Sequence, residues 1–105
     1  MRSPTAERVF FGTSGLEVRS AGTERDADSP VSSDDLDWAE LIFVMESRHK
    51  KRLGQMFGRQ LAQKRVVVLG IPDDYEFMQP ELVELLTLKI TPYLEASIHA
   101  AAVTT

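Results

Sequence analysis

A chain of 105 residues has room for one hydrophobic core, and 43% hydrophobic against 27% charged residues is a globular balance rather than a disordered or membrane-embedded one. With 12 basic and 16 acidic residues the formal charge is -4, which excludes a general attraction to nucleic acid or an anionic membrane surface. Cysteine is absent, so disulfides, thiolate metal sites and thiol nucleophiles are excluded within these residues.

Ser3 and Pro4 fit an N-cap and first helical position, opening a short helix through Thr5, Ala6, Glu7, Val9 and Phe10. Gly12-Thr13-Ser14-Gly15 ends it, and Leu16 to Ser20 reads as a short strand stopped by Ala21-Gly22-Thr23. From Glu24 to Ser33 the chain is polar and loop-like around Pro30, although Ser32 and Asp35 carry the spacing of a capped helical turn. Mobility is expected there.

Leu41-Ile42-Phe43-Val44-Met45 is an apolar run of strand length, as in a parallel strand covered on both faces. Leu53, Met56, Phe57 and Leu61 then form a stripe on a helix from about Ser47 to Gln63. Val66 to Ile71 is a second buried-strand run, rich in β-branched residues. Pro80 opens a last helix that buries Leu82, Val83, Leu85, Leu86 and Ile90; Pro92 should kink it near Thr91 or restart it there. The tail after Ala96 is expected to fray. The alternation of helices and strands predicts one α/β domain over residues 1–105. No apolar run approaches the roughly 18 to 20 residues of a membrane span. No signal-peptide core follows Met1, so a cytoplasmic protein without membrane contact is expected.

Three clusters could carry chemistry, each with a plainer rival. Arg2-Ser3-Pro4-Thr5 heads a helix, where free N–H groups, the positive dipole end and a guanidinium could hold an oxyanion; a merely capped, hydrated helix start is the rival. Asp73-Asp74-Tyr75 follows a strand, at the end where open α/β sheets bind ligands. Adjacent carboxylates raise one another's proton affinity, as a general acid requires, yet Pro-Asp-Asp is also an ordinary turn. Arg48-His49-Lys50-Lys51-Arg52 spreads over more than one helical turn, which favours a solvated helix end over a nucleic-acid stripe. His49 and His99 lack metal-ligand spacing and read as structural or exposed, and packing accounts for Trp38, Met45 and Met56. Neither a metal nor a cofactor is expected.

The order of motifs adds to this. Arg2-Ser3-Pro4-Thr5-Ala6-Glu7 resembles the end of the phosphate-binding loop and the first helix of the low-molecular-weight protein tyrosine phosphatases and the related arsenate reductases. Ser20-Ala21-Gly22-Thr23 is similar to that family's turn after its second strand. Trp38 to Met45, with His49 and Leu53, looks like its third strand and following helix. Asp73-Asp74-Tyr75 resembles its Asp-Pro-Tyr general-acid loop, with Asp74 where proline is usual. The match is closest to a compact bacterial branch described as predicted tyrosine phosphatases.

The resemblance implies a three-layer α/β/α fold with a small parallel sheet, flavodoxin-like in strand order 2-1-3-4. It also implies phosphomonoester hydrolysis through a cysteinyl-phosphate, the cysteine lying six positions before the arginine of the loop. It assigns phosphate orientation to Arg2, a loop hydrogen bond to Ser3, loop support to Ser20 and the general acid to Asp73, with Asp74 as second candidate. Residue 1 is already methionine, so the cysteine and the first strand of the family have no counterpart here. The expectation is an inactive, N-terminally truncated member in which Met1 is an internal methionine of a longer phosphatase. Its substrate, once the upstream segment is restored, would be a phosphorylated protein or small phosphate ester. Losing a middle strand should leave two facing strand edges unpaired. The alternative is a noncatalytic remnant that binds phosphate or protein and dimerises through those edges; an unrelated flavodoxin-like domain is the third reading.

Overall fold

In the computed structural model, residues 2–12, 16–22, 30–62, 64–95 and 100–105 are described. Most of the loop expected over residues 24–33 lies outside them, as does His99. In chain order the elements are α1 (Arg2–Phe10), β1 (Leu16–Ser20), α2 (Ser33–Trp38), β2 (Leu41–Val44), α3 (Ser47–Leu61), β3 (Arg65–Val68), α4 (Pro80–Glu95) and β4 (Ala100–Thr104). The four strands form one parallel sheet in the order β1-β4-β2-β3.

The middle of the sheet overturns one expectation. Instead of fraying, the last residues insert between β1 and β2, with Val18 level with Ala102 and Ile42 level with Val103. Backbone bonds on both sides fix β4: Ala21 donates to the Thr104 carbonyl, Glu40 to Ala101, Met45 to Thr105, and Thr105 to Phe43. The two facing edges expected to stand open are therefore paired. Three alanines give this strand little intrinsic β preference, so burial and pairing decide its conformation. Ala102 and Val103 are 1% and 0% exposed, on opposite faces of the sheet.

Side chains alternate along β2. Leu41, Phe43 and Met45 join Ala6, Phe10, Leu82, Leu86 and Ile90 of α1 and α4 on one face, while Ile42 and Val44 join Leu36 and Leu53 of α2 and α3 on the other. The helices thus cover both faces of the sheet. β2 is buried throughout, as its sequence implied.

β3 is not. It ends at Val68, is only partly covered, and forms the sheet's edge; Leu69 and Ile71, beyond the strand, are the buried residues of that run. α3 departs too, because Phe57 (φ -137, ψ 35) is non-helical and breaks the stripe. Met56 is left 43% exposed rather than packed, while Phe57 and Leu61 stay against the core. α4 neither restarts nor ends at Pro92. The carbonyl that Pro92 leaves without an N–H partner is that of Leu88, on a residue 70% exposed, where water can satisfy it.

The contrast between middle and edge is measurable. Val103→Ala, in a fully buried strand, should cost about 2 kcal/mol in urea unfolding, and Val68→Ala at the edge less than about 1 kcal/mol. Equal costs would contradict a central β4.

Candidate functional site

Because all strands are parallel, their carboxyl ends share one rim of the sheet, and the loops after β2 and β3 meet the start of α1 there. Leu69 and Ile71 donate to the Val44 and Met45 carbonyls, extending the β2–β3 pairing past the strands. Between them Gly70 takes φ +69 with open space around its α-carbon; the constraint is conformational, since other residues are strained at that angle. This turn presents the Ile71 carbonyl to α1.

Arg2 fills the junction. Its side chain is 8% exposed, and Nη1 donates both to Glu46 Oε2 and to the Ile71 carbonyl, each at 2.7 Å. Nε stands 3.6 Å from Asp73 Oδ1. Among the described contacts Nη1 takes two acceptors, and the edge carrying Nε and Nη2, beside Asp73, has the geometry of a two-point donor. Asp73 is 60% exposed, so the approach is from solvent. The structure thus brings Arg2 and Asp73 together. The adjacent Asp74 is exposed and shows no bond to Arg2 among the described contacts. Ser3 lies in the first turn of α1. Ser20 is engaged elsewhere, its N–H donating to Glu7 Oε2 at 2.6 Å, which ties α1 to β1.

Two residues to which the sequence assigned no role of their own organise this rim. Glu46, between β2 and α3, receives Arg2 from one side and Arg48 Nη2, at 3.0 Å, from the other. The bonds from Arg2 and then Arg48 hold its carboxyl down at about 2, below the ordinary 4.5. Its signal was an acidic residue between a buried strand and a basic helix start, easily read as a cap. Thr5 is the second: fully buried, its hydroxyl accepts the Met78 N–H at 3.0 Å. Met78 sits at φ 59, strained for a residue with a side chain, and this bond pins the Asp73 loop to α1.

His49 is structural. Its Nδ1 accepts the Glu46 N–H at 3.2 Å, so the neutral ring carries its proton on Nε2 and caps α3. Burial, then the nearby Arg48 and Arg2 charges, lower its proton affinity from the ordinary 6.5. Among the described residues no cluster of histidine and carboxylate could hold a metal ion, and no helix is long and apolar enough to cross a membrane.

Comparison of the chain with family models, curated proteins and solved structures finds no match.

The rim predicts an acid limb of instability. Glu46 and His49 bind protons less well folded than unfolded. The stability they add is complete above about pH 6.5 for His49 and about pH 4.5 for Glu46, and is lost as pH falls through their folded values, toward about 2 for Glu46. Urea midpoints should therefore drop from pH 7 to pH 3, and Glu46→Gln should flatten the part below pH 4.5. An unchanged slope in that variant would remove Glu46 as the cause. Thr5→Val, which keeps the shape and deletes the acceptor, should cost about 1 to 3 kcal/mol. Faster amide exchange at Met78 would accompany it.

Proposed function

We propose that the chain is a low-molecular-weight tyrosine phosphatase-like domain that recognises a phosphomonoester at the Nε/Nη2 edge of Arg2, beside Asp73. The observation that carries this reading is the Arg2–Asp73 pair at the carboxyl rim, where a guanidinium fixed on one side meets a carboxylate open to solvent. In that arrangement Arg2 orients two phosphoryl oxygens. The N-terminus of α1, including Ser3, supplies N–H groups and a favourable dipole. Asp73, rather than Asp74, is the acid facing the bound group. Proton donation by Asp73 to an ester oxygen is the family's leaving-group step.

The sheet supports the same reading. Its order β1-β4-β2-β3 becomes the family's 2-1-3-4 when β4 occupies the position of the first strand. The nucleophile is the missing part: these residues contain no cysteine, so they bind the ester without forming a cysteinyl-phosphate. A phosphorylated protein or small ester in the cytoplasm belongs to this proposal.

The test pairs binding with turnover. The 105-residue protein should bind phosphate or vanadate with a roughly millimolar Kd and release nothing from an aryl phosphate. Arg2→Lys should weaken binding at least about tenfold, since a point charge replaces a two-point donor. Asp73→Asn should strengthen it by removing a like charge. A version extended upstream should hydrolyse the ester only if it supplies a cysteine, and its added strand would have to displace β4, visible as faster amide exchange at Val103. Absence of oxyanion binding, or binding indifferent to Arg2, would overturn the proposal.

A further inference from the structure

With β4 in the middle, the sheet ends at β1 on one side. Ala21 turns its N–H to β4, so by alternation Glu17 and Arg19 do likewise, and the backbone groups of Leu16, Val18 and Ser20 face away from the sheet. The Ser20 N–H is already held by Glu7, and the Gly22 carbonyl by Val31. Among the described residues, the part of the edge without a backbone partner is centred on Val18. Beside it runs a groove of about 280 Å³ lined by Phe10, Phe11, Leu16, Val18 and Trp38, with Phe11 78% exposed.

The charges beside Val18 select the occupant. Glu17 is exposed, and Arg19, stacked 3.9 Å over Trp38 and 3.7 Å from Asp35, is still 51% exposed. We propose that this edge pairs with β1 of a second copy, antiparallel about a two-fold axis through Val18, to give one continuous eight-stranded sheet. In this register the Val18 residues exchange two backbone hydrogen bonds. Glu17 faces Arg19 of the other copy, and Arg19 faces its Glu17, in the closely spaced non-hydrogen-bonded positions where side chains interact most. Shifting the axis by one residue would set Glu17 against Glu17, a repulsive pair. Ser20 lies opposite Leu16 at the end of the ladder, so its bond to Glu7 ends the pairing there. The interface is isologous and closed, since each copy uses its one β1 edge. It stands independently of the phosphate reading.

The register makes a charge-swap test decisive. Sedimentation equilibrium of the whole chain over a micromolar to millimolar range should show a monomer–dimer equilibrium. Arg19→Glu alone, or Glu17→Arg alone, places like charges opposite one another twice and should raise the dissociation constant at least about tenfold. An equimolar mixture of the two variants should dimerise again, because every facing pair is then opposite in charge; so should the double variant alone. Far-ultraviolet circular dichroism confirms that each variant is folded, and the mixture shows rescue even if stacking on Trp38 is weakened. A monomer at every concentration, or a dimer indifferent to both charge reversals, would overturn the proposal.

Discussion

The strand in the middle of the sheet is the constraint on which the rest depends. β4 comes from the far end of the chain yet pairs with β1 on one side and β2 on the other, so the facing backbone groups of both neighbours are satisfied only by it. It also contributes to both cores, since Ala102 belongs to one and Val103 to the other. The sheet is therefore closed by pairings that reach across the sequence from Leu16 to Thr104, made by a segment with weak local preference.

The site follows from the same topology. The chain steps from β1 to β2 to β3 in one direction across the sheet, with α2 and α3 on one face, then returns through α4 on the opposite face to enter the middle as β4. Right-handed crossovers require that change of face when the direction reverses. Helices starting at the carboxyl rim thus diverge, α1 to one side and α3 to the other, and the crevice between them is where open α/β sheets accommodate ligands. Arg2 opens α1 and Glu46 precedes α3. Their 2.7 Å bond spans that crevice, and the Ile71 carbonyl, turned by Gly70, closes it from the β3 side.

Much of this was legible in the sequence. The apolar run at Leu41 to Met45, the Ser32 and Asp35 capping pattern and the Pro80 helix start each carry a strong local signal, and each forms as read. β4 was hidden because Ala100, Ala101 and Ala102 favour helix locally and become a strand only through pairing. β3 was misread as buried because β-branched residues signal a strand but not its place in the sheet. At the rim, Arg2 and Asp73 were legible as types of residue in plausible positions, whereas their meeting required the fold. The roles of Glu46 and Thr5, the latter named only as part of the helix start, escaped because they lie in partners 44 and 73 residues away, Arg2 and Met78, which no local pattern encodes.

The electrostatics of the rim set what kind of binder it can be. Arg2 already faces two carboxylates, Glu46 and Asp73, so the rim lacks the surplus positive charge that would draw anions from a distance. Its advantage is order. A free arginine carries about 2 kcal/mol of rotamer entropy, and Glu46 with the Ile71 carbonyl has fixed this one before any ligand arrives. On the proposed reading, a phosphoryl group that sets two of its oxygens against the Nε/Nη2 edge gains two aligned bonds at little ordering cost, while a monatomic anion gains less from the same geometry. Discrimination at this rim therefore rests, on that reading, on geometry more than on strength, with the exposed Asp73 carboxylate 3.6 Å from Nε as the group beside any bound oxyanion.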